Sequence, residues 1–313
     1  MTSDVLLHLA MTLKATGYSF TTVTPATHAR VNSRLENAWA RNATDIFGWS
    51  RPFREGVIAP ELFEAMRNAD VLKTHSEGWI SRVRASTLRG QLFLHSAYPT
   101  TASDAIFFGP DTYRFANAIA RYLSGNAADD VRLQRAVDIG CGAGPGAVVI
   151  ALERPQAEVL AVDINDTALR YTAVNARLAG AAGVTVQHSD LLDDIDGDFD
   201  LIVANPPYLL DAQERTYRHG GGSFGEGLSL AIAGLAKTRL APGGTLLLYT
   251  GIAITDGTDR LLASIAPMLD DASLEWDYQE LDPDVFGEEL DEPAYAEADR
   301  IAAVLLTARR ARS

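Results

Sequence analysis

Residues 205 to 208 read Asn-Pro-Pro-Tyr and directly follow the apolar run Phe199-Asp200-Leu201-Ile202-Val203-Ala204. A buried strand thus ends in a stiff turn that carries an amide and an aromatic ring. The Asn205 side-chain oxygen and the Pro206 carbonyl can each accept one N–H of a planar NH₂ group. Together they would orient that group and stabilise positive charge developing on its nitrogen. The prolines preorganise the two acceptors, and Tyr208 offers a flat face for stacking. Taken alone, Pro-Pro after a strand is a strand terminator. A second segment, starting 67 positions earlier, favours the chemical reading.

That segment is Asp138-Ile139-Gly140-Cys141-Gly142-Ala143-Gly144-Pro145-Gly146. Its glycines follow an apolar strand and open a helix. Glycine allows a sharp turn and close approach of a ligand. The helix start supplies free amides and partial positive charge, suited to a carboxylate or phosphate. The next strand, Val159-Leu160-Ala161-Val162, ends in Asp163, placed to accept hydrogen bonds from two ribose hydroxyls. This set predicts a nucleoside ligand; nucleotide oxidoreductases share it. The competing structural reading makes Asp163 and Asp190 turn or helix caps and the glycines an ordinary tight turn.

The glycine loop and the Asn-Pro-Pro-Tyr turn, in this order, resemble the cofactor and catalytic loops of class I S-adenosylmethionine (AdoMet) methyltransferases that methylate amino groups. The resemblance implies AdoMet as cofactor. It assigns Thr112, Asp138, Gly140, Gly142, Gly144, Asp163, Ile164, Asp190, Leu191 and Asn205 to cofactor binding. Asp138 would face the amino-acid end, Ile164 would flank the adenine and Asp190 would meet its amine. Asn205, Pro206, Pro207 and Tyr208 form the implied catalytic set. Methyl transfer from a sulfonium is an in-line displacement, and an amide or base amine is a poor nucleophile because its lone pair is delocalised. Orienting that nitrogen is the problem the turn addresses, and the proton can leave after transfer. Two further segments resemble the protein glutamine methyltransferases that act on release factors (HemK/PrmC-like). They are Gly221-Gly222-Ser223-Phe224-Gly225-Glu226-Gly227-Leu228 and Phe107-Phe108-Gly109-Pro110-Asp111-Thr112. The arginine-proline pair of that family is missing here, and the likeness is confined to about residues 105 to 250. A protein glutamine side chain is the leading acceptor. A base amine in RNA or DNA, or a small-molecule amine or amide, stands as the alternative, and an enclosed pocket formed by the front domain would favour the small molecule.

The elements that must hold these loops can be read from periodicity. From residue 111 onward helices and strands alternate, with strands at 135–139, 158–163, 184–188, 200–204 and 244–250. Two late strands, 274–280 and 301–308, have no convincing helix between them. The pattern predicts an α/β, Rossmann-like, seven-stranded, mostly parallel sheet with an antiparallel edge. Ahead of it lies a helical N-terminal domain with a β-hairpin. Leu6, Leu7, Leu9, Ala10 and Leu13 mark its first helix, Thr24-Pro25 caps a second running through Trp39, and Pro60 opens a third. Segments 79–86 and 91–98 form the hairpin, a winged-helix-like arrangement. The expected domains are residues 1–98 (substrate side) and 99–313 (methyltransferase).

The chain has 313 residues with 47% apolar composition, enough for a substantial core. Cys141 is its only cysteine, which excludes an internal disulfide and disfavours a cysteine-based zinc site. No apolar run reaches the ~20 residues of a membrane span, and the start lacks the basic segment of a secretory signal. A cytoplasmic protein with no membrane partner is expected. The net charge of −14 divides unevenly: residues 1–125 carry 13 Lys/Arg and 10 Asp/Glu, and the remainder 14 and 31, or −17. Such an acidic body repels phosphate backbones, which disfavours a nucleic-acid partner.

Three other features invite chemistry and are set aside. His219-Gly220-Gly221-Gly222 and Gly221-Gly222-Ser223-Phe224-Gly225 imitate hydrolase motifs, but no histidine follows His219 to complete the serine, acid, histidine order. Residues 282–297 are acid-rich without calcium-loop register and fit a solvated loop, with a lid as the minor option. Residues 47–53, rich in aromatics, fit interdomain packing or a pocket wall.

Overall fold

The computed structural model describes residues 3–125, 133–210, 220–222 and 225–312. Its main sheet runs in the order β7-β6-β5-β8-β9-β12-β11. These strands are β5 Arg135–Ile139, β6 Glu158–Asp163, β7 Val184–His188, β8 Phe199–Ala204, β9 Leu240–Thr255, β11 Glu275–Asp282 and β12 Arg300–Arg309. Five strands are parallel, and β12 and β11 add the antiparallel edge. The expected seven strands are present; a two-residue strand, β10 Thr258–Asp259, folds back on β9 as an eighth.

Strand alternation sends side chains to two cores. Ala136, Val159, Ala161 and Leu201 join the core beneath helices Pro110–Ser124, Pro145–Glu153 and Asp166–Ala179. Val137, Leu160, Val162 and Ile202 join the opposite core, covered by helices Gly227–Arg239 and Arg260–Asp271. A sheet buried on both faces explains the nearly continuous apolar strands. β9 is longer than the expected 244–250 because its apolar run continues to Thr255 and pairs with β12 throughout.

The register fixes where the loops meet. Ile139 of β5 pairs with Ala204 of β8 and with Val162 of β6, and Asp163 pairs with His188 of β7. The residues that follow these ends, Gly140, Asn205 and Ser189, together with Asp163 itself, therefore lie in one row. The chain reverses direction across the sheet between β5 and β8, the position where open α/β sheets bind ligands.

The front segment departs from its expected outline. The second helix ends at Asn32 (Pro25–Asn32) and gives way to a short 3-10 turn, Leu35–Asn37, and helix Ala43–Phe47. The run 79–86 is not one strand. Ser81 turns it, accepting the Val83 N–H and donating to the Val83 carbonyl. β2 Gly78–Ser81 then pairs with β1 Leu72–His75, a strand the periodicity missed, and β3 Val83–Leu88 pairs with β4 Gln91–Ser96. The segment shares the core of the first sheet face, with Leu6, Leu9, Phe47 and Phe53 fully buried in it. Phe47 and Phe53 thus serve packing, as one of the two readings held.

One side chain ties this segment to the glycine loop. Asn175, fully buried, accepts the Leu94 N–H at 2.8 Å and donates to the Leu94 and Ala143 carbonyls at 2.9 Å each. Replacing Asn175 with leucine would leave three buried main-chain groups unpaired. We expect a loss of about 2–4 kcal/mol in unfolding free energy, read by chemical denaturation.

Candidate active site

A cavity of about 390 Å³ opens along the row of strand ends. It is lined by Thr112, Asp138, Gly140, Gly142, Asp163, Ile164, Asp190, Leu191 and Asn205 from the expected cofactor set, and by Pro206, Pro207 and Tyr208. Gly144 is the exception. It is the left-handed N-cap of helix Pro145–Glu153 (φ 80°), and a side chain there would strike Thr172 at 2.8 Å. It starts the helix and is not among the residues that line the cavity.

Gly140 adopts φ 67° with nothing within 4 Å of where a Cβ would stand, so this backbone borders open space. Asp138 is fully buried; its Oδ2 accepts the Ala147 N–H at 2.8 Å, and burial pushes its carboxyl up to about 7. Asp163 accepts the Gly142 N–H at 3.0 Å through Oδ2 and the Asn165 N–H at 2.9 Å through Oδ1. Burial raises its carboxyl, and those N–H donors oppose the shift. Both acids are thus loop caps as well as cavity walls. Ile164 is 50% exposed beside it, an apolar surface left open to the cavity. Asp190 is exposed, and Leu191 takes a left-handed φ of 49°. Ser189, which the motif reading passed over, is buried at the cavity wall with its hydroxyl unpartnered. A partnerless hydroxyl, an open glycine backbone and an uncovered apolar side chain are what a polar nucleoside ligand would complete.

On the β8 side, Asn205 is half-buried, and none of the described residues hydrogen-bonds its side chain. Tyr208 differs from expectation. It is 7% exposed, its ring lies against Gly251 and edge-on to Phe286, and its hydroxyl donates to Asp111. Tyr208 lines the cavity with its ring and hydroxyl both engaged inside the protein. The Gly220 N–H donates to the Leu209 carbonyl at 2.9 Å, folding the glycine-rich segment back against the turn. His219, Ser223 and Phe224 of the set-aside hydrolase motifs lie outside the described residues.

Sequence reasoning missed several walls. Tyr98, Pro99, Thr100 and Thr101 line the cavity with Pro25, and Phe286 joins them from the acid-rich segment between β11 and β12. A lone phenylalanine among carboxylates was the available signal for the latter. Among the described residues no cluster of metal-ligating side chains occurs, and no helix is long and apolar enough to cross a membrane.

Residues 120–250 match the family model of the methyltransferase small domain. The M. jannaschii TYW2 structure in complex with AdoMet superposes with a TM-score of 0.50 at 15% identity, over 77% of this chain and 93% of that one, a likeness of fold. Strand order and loop placement agree with the methyltransferase match over residues 120–250. In sequence the chain resembles release factor glutamine methyltransferases. That of Bordetella pertussis is 34% identical over 179 residues, covering 53% of this chain and 64% of the relative. That of Deinococcus radiodurans is 38% identical over 128 residues, covering 38% and 46%. A 4-amino-L-phenylalanine/4-methylamino-L-phenylalanine methyltransferase of Streptomyces pristinaespiralis is 35% identical over 125 residues, covering 37% and 43%. The chain spans between 43% and 64% of the length of these relatives.

Proposed function

We propose that this protein is an AdoMet-dependent N-methyltransferase whose acceptor is a side-chain amide of a protein, specifically glutamine. The observation that carries the reading is the register-enforced neighbourhood of Gly140 and Asn205: the nucleoside-type loop and an amide that no described residue hydrogen-bonds share one cavity. In this reading Asp163 takes the ribose hydroxyls and Ile164 packs on the adenine. Ser189 and Asp190 meet the polar edge of the base. Thr112, Asp138 and the amides of the Gly140–Gly142 loop hold the amino-acid end. AdoMet, when bound, supplies an electrophilic methyl on a sulfonium. Asn205 and the Pro206 carbonyl accept the two N–H groups of the acceptor and aim its nitrogen. As the nitrogen becomes positive, both hydrogen bonds strengthen, so they stabilise the transition state more than the ground state. No side-chain base takes part, because the acidic proton is created by the transfer itself.

The similarity to release factor enzymes supports glutamine, and the acidic body supports a protein over a nucleic acid. A small planar amine is the second reading. The cavity wall built by Pro25 and Tyr98–Thr101 favours it, as does the Streptomyces relative. Incubating the full chain with methyl-labelled AdoMet and a cell extract, then separating protein, RNA and metabolites, tests both. Label on a glutamine of the protein fraction is expected. Label confined to metabolites would replace the acceptor, and label in RNA would overturn the charge argument.

A further inference from the structure

The turn that carries Asn205 has an unusual problem of support. Pro206 and Pro207 have no N–H, so the main chain cannot anchor the bend through donors at those positions. The support comes from the side chain of Tyr208. Its hydroxyl donates to Oδ2 of Asp111, and its ring is seated where Gly251 has no Cβ; a side chain there would lie 2.2 Å from Tyr208 Cε2.

Asp111 is the centre of that support. It is 4% exposed, in the first turn of helix Pro110–Ser124, where helix amides favour a carboxylate. Its Oδ1 accepts the Tyr249 hydroxyl of β9 at 2.6 Å and Arg114 Nη1 at 3.1 Å. Arg114 reaches on through Nη2 to Asp282 at the end of β11, at 2.6 Å. One carboxylate therefore joins the turn, the helix and two strands. Tyr208 and Tyr249 are both buried, and burial beside Asp111 holds both hydroxyls protonated as donors. Neither Tyr249 nor Arg114 lines the cavity, although Asp111 does.

We infer that Asp111 is a positioning residue that, through its shared grip on Tyr208 and Tyr249, holds the Asn205–Pro206 acceptors in place. Its catalytic consequence rests on the proposed methyl transfer, whereas the grip itself is a property of the chain. Asparagine at 111 puts an NH₂ donor where one carboxylate oxygen stood and removes the charge, so one tyrosine hydroxyl must turn from donating to accepting and both charge-assisted bonds are lost. Phenylalanine at 249 removes one oxygen from outside the cavity and leaves Tyr208 bonded.

The test uses the full chain with Asp111→Asn, Tyr249→Phe and the double variant. Backbone amide exchange in peptides spanning 203–210 should accelerate about tenfold or more in each single variant. Exchange in β5 should stay unchanged as the control for folding. The double variant should be no worse than Asp111→Asn, because both act on one network. AdoMet affinity, titrated calorimetrically, should hold in Tyr249→Phe, while kcat falls and the acceptor KM changes little. Unaltered exchange at 203–210, or effects that simply multiply in the double variant, would overturn the grip. Loosened exchange with full kcat would overturn its catalytic meaning. Neither exchange nor AdoMet titration depends on the acceptor. A wild-type chain that methylates no glutamine would therefore count against the proposed function and leave the grip standing.

Discussion

Replacing Asn205 with alanine is expected to lower methyl transfer by about 100- to 1000-fold, the effect of deleting one preorganised acceptor of developing charge. AdoMet affinity should be nearly unchanged. The structure makes this variant unusually clean. The Asn205 side chain makes no hydrogen bond to a described residue, so truncation orphans no polar group among them. The backbone at this point is held from both sides, by Ala204 pairing with Ile139 and Leu248 and by the anchored Tyr208. The loss should fall on kcat, since the interaction gains strength only as the nitrogen becomes positive. Turnover at saturating acceptor and calorimetric titration of AdoMet check the two halves separately. Full turnover in the variant would remove Asn205 from the chemistry.

The elements of the sheet were legible because each carries its own signal. β5, β6 and β8 are apolar runs ended by glycine, acid or proline, and the helices between them have starts that match, such as Gly144-Pro145 and Asn165. The row of loops follows from strand register once the sheet order is granted, so the strand-end part of the candidate cavity could be named from motifs and the resemblance they carry. What could not be read was built from non-local contacts. The break between β2 and β3 depends on Ser81 bonding to Val83 and on Arg82 donating its N–H to Val71. The wall formed by Tyr98–Thr101 depends on how the front segment docks, through Tyr113 on the Thr22 N–H and Asn175 on Leu94. Tyr208 shows the limit best. Its type suits stacking, yet Gly251, 43 positions away, lets its ring settle against β9, and Asp111 takes its hydroxyl. Side-chain type gave the chemistry available, and distant partners decided how it is used.

Asp163→Ala should weaken AdoMet binding by about 100-fold. A carboxylate has about four acceptor positions, and the structure uses two, for the Gly142 and Asn165 N–H groups. The remaining two are available at the cavity wall for a pair of ribose hydroxyls. Hydrogen bonds to a charged acceptor contribute about 1.5–3 kcal/mol each, so losing the pair costs at least about 3 kcal/mol, or two powers of ten in Kd. Stability without ligand should change far less. The buried carboxyl already sits above its ordinary range, so removing it relieves a desolvation cost that offsets the two lost loop caps. Ligand-induced stabilisation separates these effects without any acceptor. At a concentration near 100 times the wild-type Kd, AdoMet should stabilise the wild type by about 2.7 kcal/mol and the variant by well under 1 kcal/mol. Equal thermal shifts in the two proteins would mean that the ribose is held elsewhere, and Asp163 would then be a loop cap alone.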